Sequence, residues 1–398
     1  MRNNSIKGLI EIPGYKIQEI FKKTNEEIHI RIEAYKRNKG QCSCCGQEHK
    51  SVHSVREMVA EDVRLGERRV FLYISKRRYK CSRDGRIHTE AIEWIELGAR
   101  VTKAFGKQIN RLTSITTNQE AGWFLGLNDE KVYRIDKAML EELFKGRLVP
   151  TPASVNISVD EVAWKKHHRY LTNVVDVGAK VVAWNGKGRK AEVLNRYYES
   201  LGKENCQKID TVALDGARTY ISSTTDYAVN ALIVLDRFHA TQKASKALDQ
   251  VRRDELSKAR KNDNEELIEL TNCKQRFILL KNRKKLSDTQ SALLQRLCEI
   301  NQPIYKAMLL KESFVGVYNL NDEDEAVDHI YAWIDEALQS GLPAFEEIAW
   351  SMVDKIEYVL NWFRCKFSSA ISEGFNNKIK RLKRMAYGYK DIEYFKLK

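Results

Sequence analysis

The sequence predicts a multidomain protein that combines α+β and α/β parts. Three observations lead to this prediction. Short apolar runs at a period of two fill residues 1–98, and a helical period replaces them over residues 99–149. Strands and helices then alternate over residues 150–239, before a long, charged, helix-periodic stretch at 240–365. We therefore expect a β-rich module, a helix-turn-helix, a mixed sheet and a large α-helical insertion in that sheet.

The composition favours a polyanionic partner. The chain has 398 residues and a formal net charge of +14, from 68 Lys and Arg against 54 Asp and Glu. No stretch approaches the roughly 20 apolar residues that span a bilayer, and the first residues lack the apolar core of a signal peptide. We expect a soluble, cytoplasmic protein that binds nucleic acid and no membrane.

The module at residues 1–98 carries a cysteine pattern typical of a zinc ribbon. Cys42 and Cys45 form a C-x2-C pair of the kind found in zinc knuckles. Cys81 begins a second half that is incomplete, because Asp84 stands where a ribbon normally has its fourth cysteine. We take Cys42, Cys45, Cys81 and His88 as the predicted Zn²⁺ ligands.

Other arrangements of this module remain open at the level of sequence. Asp84, His49 or His53 also has the donor chemistry to complete the site. A degenerate ribbon that keeps its fold through apolar packing, without metal, is the alternative. Eight cysteines at irregular spacing favour thiols or metal ligands over disulfides.

Residues 99–149 contain a predicted helix-turn-helix. Gly126 lies at the turn, and Asn128 or Asp129 is placed to cap the second helix. In such a motif the second helix enters the major groove of DNA. An ordinary helical hairpin is the alternative. The side chains predicted to face DNA are Lys131, Tyr133, Arg134 and Lys137.

The order of elements after the linker at Pro150 and Pro152 is that of a ribonuclease-H-like domain. We predict three strands, a helix, a fourth strand, a helix and a fifth strand, and we assign residues 150–239 and 366–398 to this domain. Asp160 and Asp215 end the first and fourth of these strands, and Glu373 lies on a later helix. The predicted elements are strands 155–160, 170–177 and 180–185, helix 190–201, and strands 209–215 and 231–236.

Asp160, Asp215 and Glu373 are the predicted catalytic and metal-binding residues. Neighbouring carboxylates repel one another, so a cluster of three is tolerated mainly where divalent cations neutralise it. Two Mg²⁺ ions, or Mn²⁺ in their place, would suit in-line phosphoryl transfer on a nucleic acid. Each Asp taken alone is equally typical of a turn. Their joint position in the correct order of elements favours the catalytic interpretation.

Three polar residues are predicted to support this site. Asp236 ends the fifth strand and His239 opens the next helix, so they form a polar pair beside the metals. The alternative is that Asp236 caps the helix and His239 bonds locally. Asn377 shares a helix face with Glu373 at a spacing of four residues.

Two basic segments flank the acids. Lys380, Arg381 and Arg384 follow Glu373 on its helix and would bind phosphates without reading sequence. The tip of the first hairpin carries a second basic set, although such a tip is often simply solvated. Its predicted DNA contacts are Lys165, Lys166, His168 and Arg169.

Four segments resemble the ISL3 family of bacterial insertion-sequence transposases: SVDEVAWKKHHRYLTNVVDV, TVALDGARTYI, IVLDRFHATQKASKALDQVRRDE and SEGFNNKIKRLKRMAYGYKDIEYFKLK. The resemblance implies a DDE transposase with the triad Asp160, Asp215 and Glu373. It also implies binding of terminal inverted repeats, cleavage and joining to target double-stranded DNA, a homo-oligomer on DNA, and a place at the bacterial nucleoid. Where the family has a tryptophan-containing turn after the second acid, this chain has GARTY.

Two other functions remain alternatives. One is a catalytically inactive, sequence-specific DNA-binding regulator derived from a transposase. The other is a ribonuclease-H-like nuclease that acts on RNA or branched DNA with the same core. The presence of all three acids argues against the first, and specific binding of inverted repeats would separate a transposase from the second.

Overall fold

The computed structural model describes residues 12–49, 51–96, 100–145, 155–165, 169–281, 283–365 and 370–398. The chain divides into two units, one made of Met1–Gly146 with Leu382–Lys398 and the other of Arg147–Arg381. This division cuts the segment 366–398, which the sequence assigns to one domain. The last residues of the chain pack in the first unit instead.

The first unit is built on a mixed sheet. Within its described residues the strand order is β1-β2-β5-β6-β3, with β4 paired to β5. Among the strands described in this unit, β2 and β5 run parallel, and the other neighbours are antiparallel. The strands are β1 (Tyr15–Lys23), β2 (Glu27–Ala34), β3 (Gln41–Cys42), β4 (Ser54–Leu65), β5 (Arg68–Lys80) and β6 (Ile87–Ala91).

Alternation along the strands builds the core of this sheet. Ile28, Ile30 and Ile32 of β2 are buried, and Leu72 and Ile74 of β5 pack with them. Successive side chains of a strand point to opposite faces, so every second residue joins the core. The strand-rich prediction for this part of the chain is confirmed.

Three helices follow, α1 (Lys103–Thr113), α2 (Asn118–Leu125) and α3 (Asp129–Phe144). Gly126 ends α2 with a φ of 64°, a left-handed conformation that glycine adopts without steric cost. The Asn128 side chain caps α3 by accepting from the backbone N–H of Lys131 at 2.7 Å. The sequence therefore located this turn and its cap correctly.

The second unit contains a mixed sheet in the order β11-β10-β7-β8-β9 within its described residues. β7, β8 and β9 form an antiparallel meander. β10 then pairs parallel with β7, and β11 pairs parallel with β10. The strands are β7 (Asn156–Lys165), β8 (Arg169–Asp176), β9 (Val181–Lys187), β10 (Thr211–Leu214) and β11 (Leu232–Leu235).

The predicted order of these strands is confirmed, but the place of Asp160 differs from expectation. Asp160 was expected at the end of its strand, whereas β7 continues to Lys165. The cause is the hairpin with β8, which pairs residue by residue past Asp160 and buries Val162 and Trp164. Asp215 does follow the last residue of β10, as expected.

Helices cover the sheet and form a separate core beyond β11. This core includes the buried side chains of Leu248, Ile304, Trp333 and Phe345. The helices are α4 (Ala191–Leu201), α5 (Lys203–Cys206), α6 (Arg218–Tyr227), α7 (Arg237–Lys261), α8 (Glu265–Thr271), α9 (Arg276–Leu280), α10 (Asp288–Ile300), α11 (Gln302–Val317), α12 (Glu323–Leu338), α13 (Pro343–Val353), α14 (Ile356–Cys365) and α15 (Ala370–Met385), with a 3₁₀ turn at Arg283–Lys285. None of the helices described in either unit is long and apolar enough to cross a membrane.

The last helix of the stretch assigned to the insertion packs on the sheet. α14 lies against β11, where the Asn361 side chain donates to the backbone carbonyl of Ile233 at 2.9 Å. Asn361 is buried, so this hydrogen bond satisfies a polar group that would otherwise destabilise the interface. α14 therefore packs on the sheet as well as on the helical core, to which it contributes Val359, Leu360 and Phe363.

The chain ends in α16 (Ile392–Leu397), which packs on α3 around a buried carboxylate. Asp136 is fully buried and accepts from the Tyr394 hydroxyl at 2.5 Å and from Asn110 at 2.8 Å. The ammonium of Lys398 lies 2.8 Å from the same carboxylate. A buried charge is tolerated when it is paired and hydrogen-bonded, and this network provides both.

Removing the Tyr394 hydroxyl should weaken this unit. We expect Tyr394→Phe to lower the free energy of unfolding by about 1 to 3 kcal/mol, because Asp136 loses a donor inside the protein. Urea denaturation measures the change. Tyr387→Phe removes the same hydroxyl from a side chain that is 94% exposed, and should change stability by less than about 0.5 kcal/mol. Equal losses in the two variants would contradict the role of the network.

Candidate active site and cysteine cluster

Two acids lie just past the end of the parallel ladder in the second sheet. The parallel ladder between β7 and β10 ends at the pair Ser158 and Ala213. Asp160 and Asp215 each come two residues further along the chain, Asp160 still within β7 and Asp215 directly after the end of β10. Neighbouring strands lie about 4.8 Å apart. The end of the ladder therefore brings the chain at both acids to the same edge of the sheet, at the carboxyl end of its parallel part.

Asp160 is the centre of the polar contacts at this edge. Its Oδ1 accepts from the backbone N–H of Glu161 at 2.6 Å, and its Oδ2 accepts from the side-chain amide of Asn376 on α15. His239 Nε2 lies 3.5 Å from the same Oδ2 and 3.6 Å from Oδ2 of Asp236. Elements from the sheet, α7 and α15 thus converge on one carboxylate.

His239 provides positive charge among these acids. The hydrogen bond to Asp160 raises the pKa of His239, burial of the ring acts in the opposite direction, and the charges of Asp160, Asp236 and Asp215 raise it further. Asp236 caps α7 by accepting from the backbone N–H of Phe238 at 2.9 Å. The cap and the polar pair, which the sequence left as alternatives, are present together.

The sequence selected the wrong neighbour on α15. Asn377 was expected beside the site, but it is exposed. Asn376 is buried and reaches Asp160. Glu373 lies in the first turn of α15, three residues before Asn376 and so on the same helix face. No sequence signal separated the two asparagines, since each lies within one helical turn of Glu373.

The three predicted acids are not gathered as a closed set of ligands. Among the described residues, groups of three His, Cys, Asp or Glu ligand atoms within 4.8 Å of one another occur only in the cysteine module. Asp160 instead accepts a hydrogen bond from the Asn376 amide and lies 3.5 Å from His239 Nε2. Carboxylate oxygens nevertheless suit hard divalent cations. Asn173 is paired with Asp160 across the ladder. Its side-chain amide nitrogen is buried and has no hydrogen-bond partner among the described residues, so one donor is left over at this edge.

The first unit holds a clear metal-type cluster. Ligand atoms of Cys42, Cys45, His49 and Cys81 all lie within 4.8 Å of one another. Cys45 Sγ is 3.4 Å from His49 Nε2, and the His49 ring stacks on Tyr79 with ring centroids 5.5 Å apart. Three thiols and one imidazole are a donor set that Zn²⁺ accepts in tetrahedral sites.

His88 lies outside this four-residue group. Its Nε2 is 2.8 Å from Oδ2 of Asp84, and the ladder pairs His88 with Tyr79. The hydrogen bonds from the backbone of Arg86 and from His88 lower the pKa of Asp84. His49, which the sequence offered only as an alternative, is therefore the histidine that lies with the three thiols, and His88 bonds to the acid that stands at the missing cysteine.

The helix expected to face DNA makes contacts inside the first unit. Lys131 and Arg69 bond the two oxygens of buried Glu61, at 3.0 and 2.8 Å. The Tyr133 hydroxyl and the Lys137 ammonium each lie 2.7 Å from Oδ2 of Asp391. Of the four side chains predicted to contact DNA, three therefore bond to acids of the same unit. Arg134 is the exposed one of the four.

Asp391 is the shared partner of Lys137 and Tyr133. Its burial raises the pKa, but the bonds from Lys137 and Tyr133 outweigh this effect and lower the pKa to about 2. The carboxylate therefore stays charged over the whole neutral range. The sequence could not anticipate this partner, because it lies more than 250 residues further along the chain.

The two basic segments are described in part. Lys380, Arg381 and Arg384 are exposed on α15, as expected. On the hairpin, Arg169 is exposed and the Lys165 ammonium lies 4.4 Å from the ring centroid of Trp164. Lys166 and His168 lie outside the described residues.

Comparison with known proteins now decides the class. Residues 157–398 match the family model of ISL3-type DDE transposases, described as "Transposase". The chain belongs to the ISL3 family of DDE transposases. The match contains the strand-edge acids and the helix that carries Asn376. A second model, the zinc finger of the IS204, IS1001, IS1096 and IS1165 transposases, matches residues 38–84 of the transposase.

Named relatives of this transposase agree. The transposase for insertion sequence element IS1001 of Bordetella parapertussis is 30% identical over 359 residues, which cover 90% of this chain and 87% of that protein. The transposase for element IS1557 of Mycobacterium tuberculosis is 30% identical over 256 residues, 59% of this chain and 56% of that protein. The protein is therefore an enzyme, an insertion-sequence transposase that uses divalent metal and carries a zinc-ribbon module.

The asparagine pair offers a test of the active-site geometry. We expect Asn376→Ala to slow cleavage of DNA ends by about 10- to 100-fold, because Asp160 loses the amide that orients it. Raising the Mg²⁺ concentration should recover part of the loss if orientation of a metal ligand is the cause. Asn377→Ala is the matched control on the same helix turn and should leave the rate nearly unchanged. A loss of equal size in both variants would contradict the assignment.

The histidine pair tests the cysteine cluster. We expect His49→Ala to bind much less Zn²⁺ than the unchanged protein, which should carry about one ion at this site. His88→Ala should retain the metal. Elemental analysis and release of zinc to a colorimetric chelator measure both variants. Retention of zinc by His49→Ala together with loss by His88→Ala would reverse the choice of fourth ligand.

Proposed function

We propose that this transposase binds the terminal inverted repeats of its element and performs DNA cleavage and strand transfer at the edge of the second sheet. Asp160, Asp215 and Glu373 are the proposed catalytic residues. The observation that carries the proposal is the ladder of β7 with β10, which ends two residues before Asp160 and Asp215, with the Asn376 side chain of α15 bonded to Asp160. Glu373 lies one turn before that asparagine.

The strand order supports a ribonuclease-H-like catalytic domain. An antiparallel meander of three strands is followed by two parallel strands, with helices between them. We assign residues 150–239 and 366–398 to this domain and residues 240–365 to a helical insertion. Ligand crevices of open α/β sheets lie at the carboxyl ends of parallel strands, where the proposed acids lie.

The carboxylates fit a hard divalent cation, for which we propose Mg²⁺, with Mn²⁺ as a substitute. Two such ions supply activation of the attacking oxygen and stabilisation of the leaving oxygen in an in-line displacement. Asp160, Asp215 and Glu373 would hold them. Asn376 orients Asp160, while His239 and Asp236 set the local charge. In the absence of metal, His239 compensates part of the negative charge that the acids concentrate.

We propose that the first unit recognises DNA through the zinc-ribbon module (residues 1–98) and a helix-turn-helix (residues 99–149). The tight turn at Gly126 and the capped second helix support a helix-turn-helix. Arg134 is the side chain available for the first contact, and Lys131, Tyr133 and Lys137 border it. Lys380, Arg381 and Arg384 would hold phosphates beside the acids, together with the hairpin residues Lys165, Lys166, His168 and Arg169.

The assembled enzyme is proposed to be a homo-oligomer, a dimer or larger, that pairs the two ends of the element. The net charge of +14 supports association with DNA. We place the protein in the bacterial cytoplasm at the nucleoid. The target is double-stranded DNA.

Neutralising the second acid tests the proposal directly. In Mg²⁺ with a labelled transposon end, Asp215→Asn should reduce cleavage by roughly 100-fold or more, because metal binding supplies several kcal/mol of transition-state stabilisation. Binding of the same end, measured by fluorescence anisotropy, should persist.

A matched control exists close by. Asp226→Asn makes the same change at an exposed position at the end of α6 and should leave cleavage unchanged. Unchanged cleavage in Asp215→Asn would remove this residue from the site. Equal cleavage of unrelated DNA by the unaltered protein would favour a general nuclease.

A further inference from the structure

A concave site lies beside Asp215, outside the set of proposed catalytic residues. Its volume is about 430 Å³, within the usual range of small-ligand pockets. It lies wholly in the second unit, between the start of α6 and the junction of α13 with α14. The lining residues are Arg218, Trp350, Ser351, Val353, Asp354 and Lys355.

Trp350 exposes a large aromatic surface in this concavity. It belongs to α13, whose residues Phe345, Ala349 and Met352 are buried in the helical core. Trp350 itself is 64% exposed, and neighbouring Val353 is 46% exposed. Burying a tryptophan removes much apolar area from water, so a well-placed exposed indole commonly marks a binding surface. A flat partner that stacks on the ring would suit it.

Positive charge surrounds the indole. The Arg218 guanidinium lies 3.0 Å from Asp354, but both side chains are mostly exposed, so this pair is weak. The Lys355 ammonium donates to the Ser351 hydroxyl at 3.1 Å. Burial lowers the pKa of Lys355, and the positive charges of Lys243 and Arg218 lower it further, against the opposing effect of Asp215. Cations thus accumulate here, as an anion-binding site requires.

The concavity adjoins the proposed catalytic edge through Gly216. This residue follows Asp215 directly and has a φ of 85°. A Cβ at Gly216 would lie 2.6 Å from Leu235 and 3.8 Å from the Lys355 ammonium. Lys355 therefore lies against the backbone of the loop that presents Asp215. A group held in the concavity would be a close neighbour of whatever Asp215 acts on.

We propose that this concavity receives one unpaired nucleotide of the DNA strand being processed, with its base stacked on Trp350 and its phosphate held by Arg218 and Lys355. Stacking on an aromatic ring tolerates any base, because every base offers a π-face. A cation beside the stack adds to the attraction. The lining offers one exposed indole and two cations against the single exposed acid Asp354, a combination that matches a nucleotide better than a neutral ligand or a peptide. The inference rests on the proposal that Asp215 belongs to the active site.

The test uses the full-length protein and transposon ends that carry 2-aminopurine at single positions around the cleavage point. Asp215→Asn protein serves as the reference, so that binding is observed without cleavage. We expect one flanking position to show a large fluorescence change when the base leaves the helix stack. Trp350→Ala should abolish that change, and Trp350→Phe should retain most of it.

Cleavage by otherwise unaltered protein gives a second measurement. Loss of one stacked base should slow cleavage by about 5- to 100-fold in Trp350→Ala. A mismatch at the flipped position should restore part of the rate, because the base then leaves the duplex more easily. Tyr331→Ala removes another exposed aromatic ring, 55% exposed on α12, and should have no effect.

Three outcomes would contradict the nucleotide site or the active-site proposal. The same fluorescence profile and cleavage rate in Trp350→Ala as in the parent proteins would overturn the nucleotide site. A loss of binding that is equal for paired and mismatched ends would also overturn it, since the surface would then hold duplex backbone. Normal cleavage by Asp215→Asn would instead overturn the active-site proposal, and the fluorescence result would still report on the concavity.

Discussion

Mutual repulsion of carboxylates is the constraint around which the proposed catalytic edge is arranged. Asp160 and Asp215 come two residues after the last pair of the β7–β10 ladder, and Asp236 directly follows the next strand. Such a concentration of negative charge is stable only when something offsets it. Here a histidine and a buried amide do so on Asp160, one from α7 and the other from α15. The site therefore requires both α7 and α15 to pack at this edge of the sheet.

The sequence predicted the parts of this fold that depend on local pattern. Alternating residues located the strands, and Gly126 with Asn128 located a turn and a cap because their chemistry acts over a few residues. It failed where the deciding partner is distant. The end of β7 was misplaced because pairing with β8 carries the strand past Asp160, and Asp391 as a partner of Lys137 left no local trace.

Choices between near neighbours were also beyond the sequence. Asn376 and Asn377 differ by one position, yet a rotation of about 100° per residue on a helix buries one and exposes the other. His49 and His88 have the same donor chemistry. Stacking of His49 on Tyr79 keeps it beside Cys45, while the ladder holds His88 near Asp84. Packing, rather than residue type, selected the partner in both cases.

The register of β7 and β10 has a consequence for how relatives can be recognised. The ladder of β7 with β10 ends at Ser158 and Ala213, two residues before Asp160 and Asp215, so the chain between the two acids must return to the same ladder whatever its length. The acid on α15 is joined to the sheet only through a long helical stretch, which can lengthen or shorten without disturbing a single hydrogen bond of the ladder. A search pattern written with a fixed gap before the third acid would therefore miss proteins that share the same edge. A pattern anchored on the local sequence around Asn376 would find them.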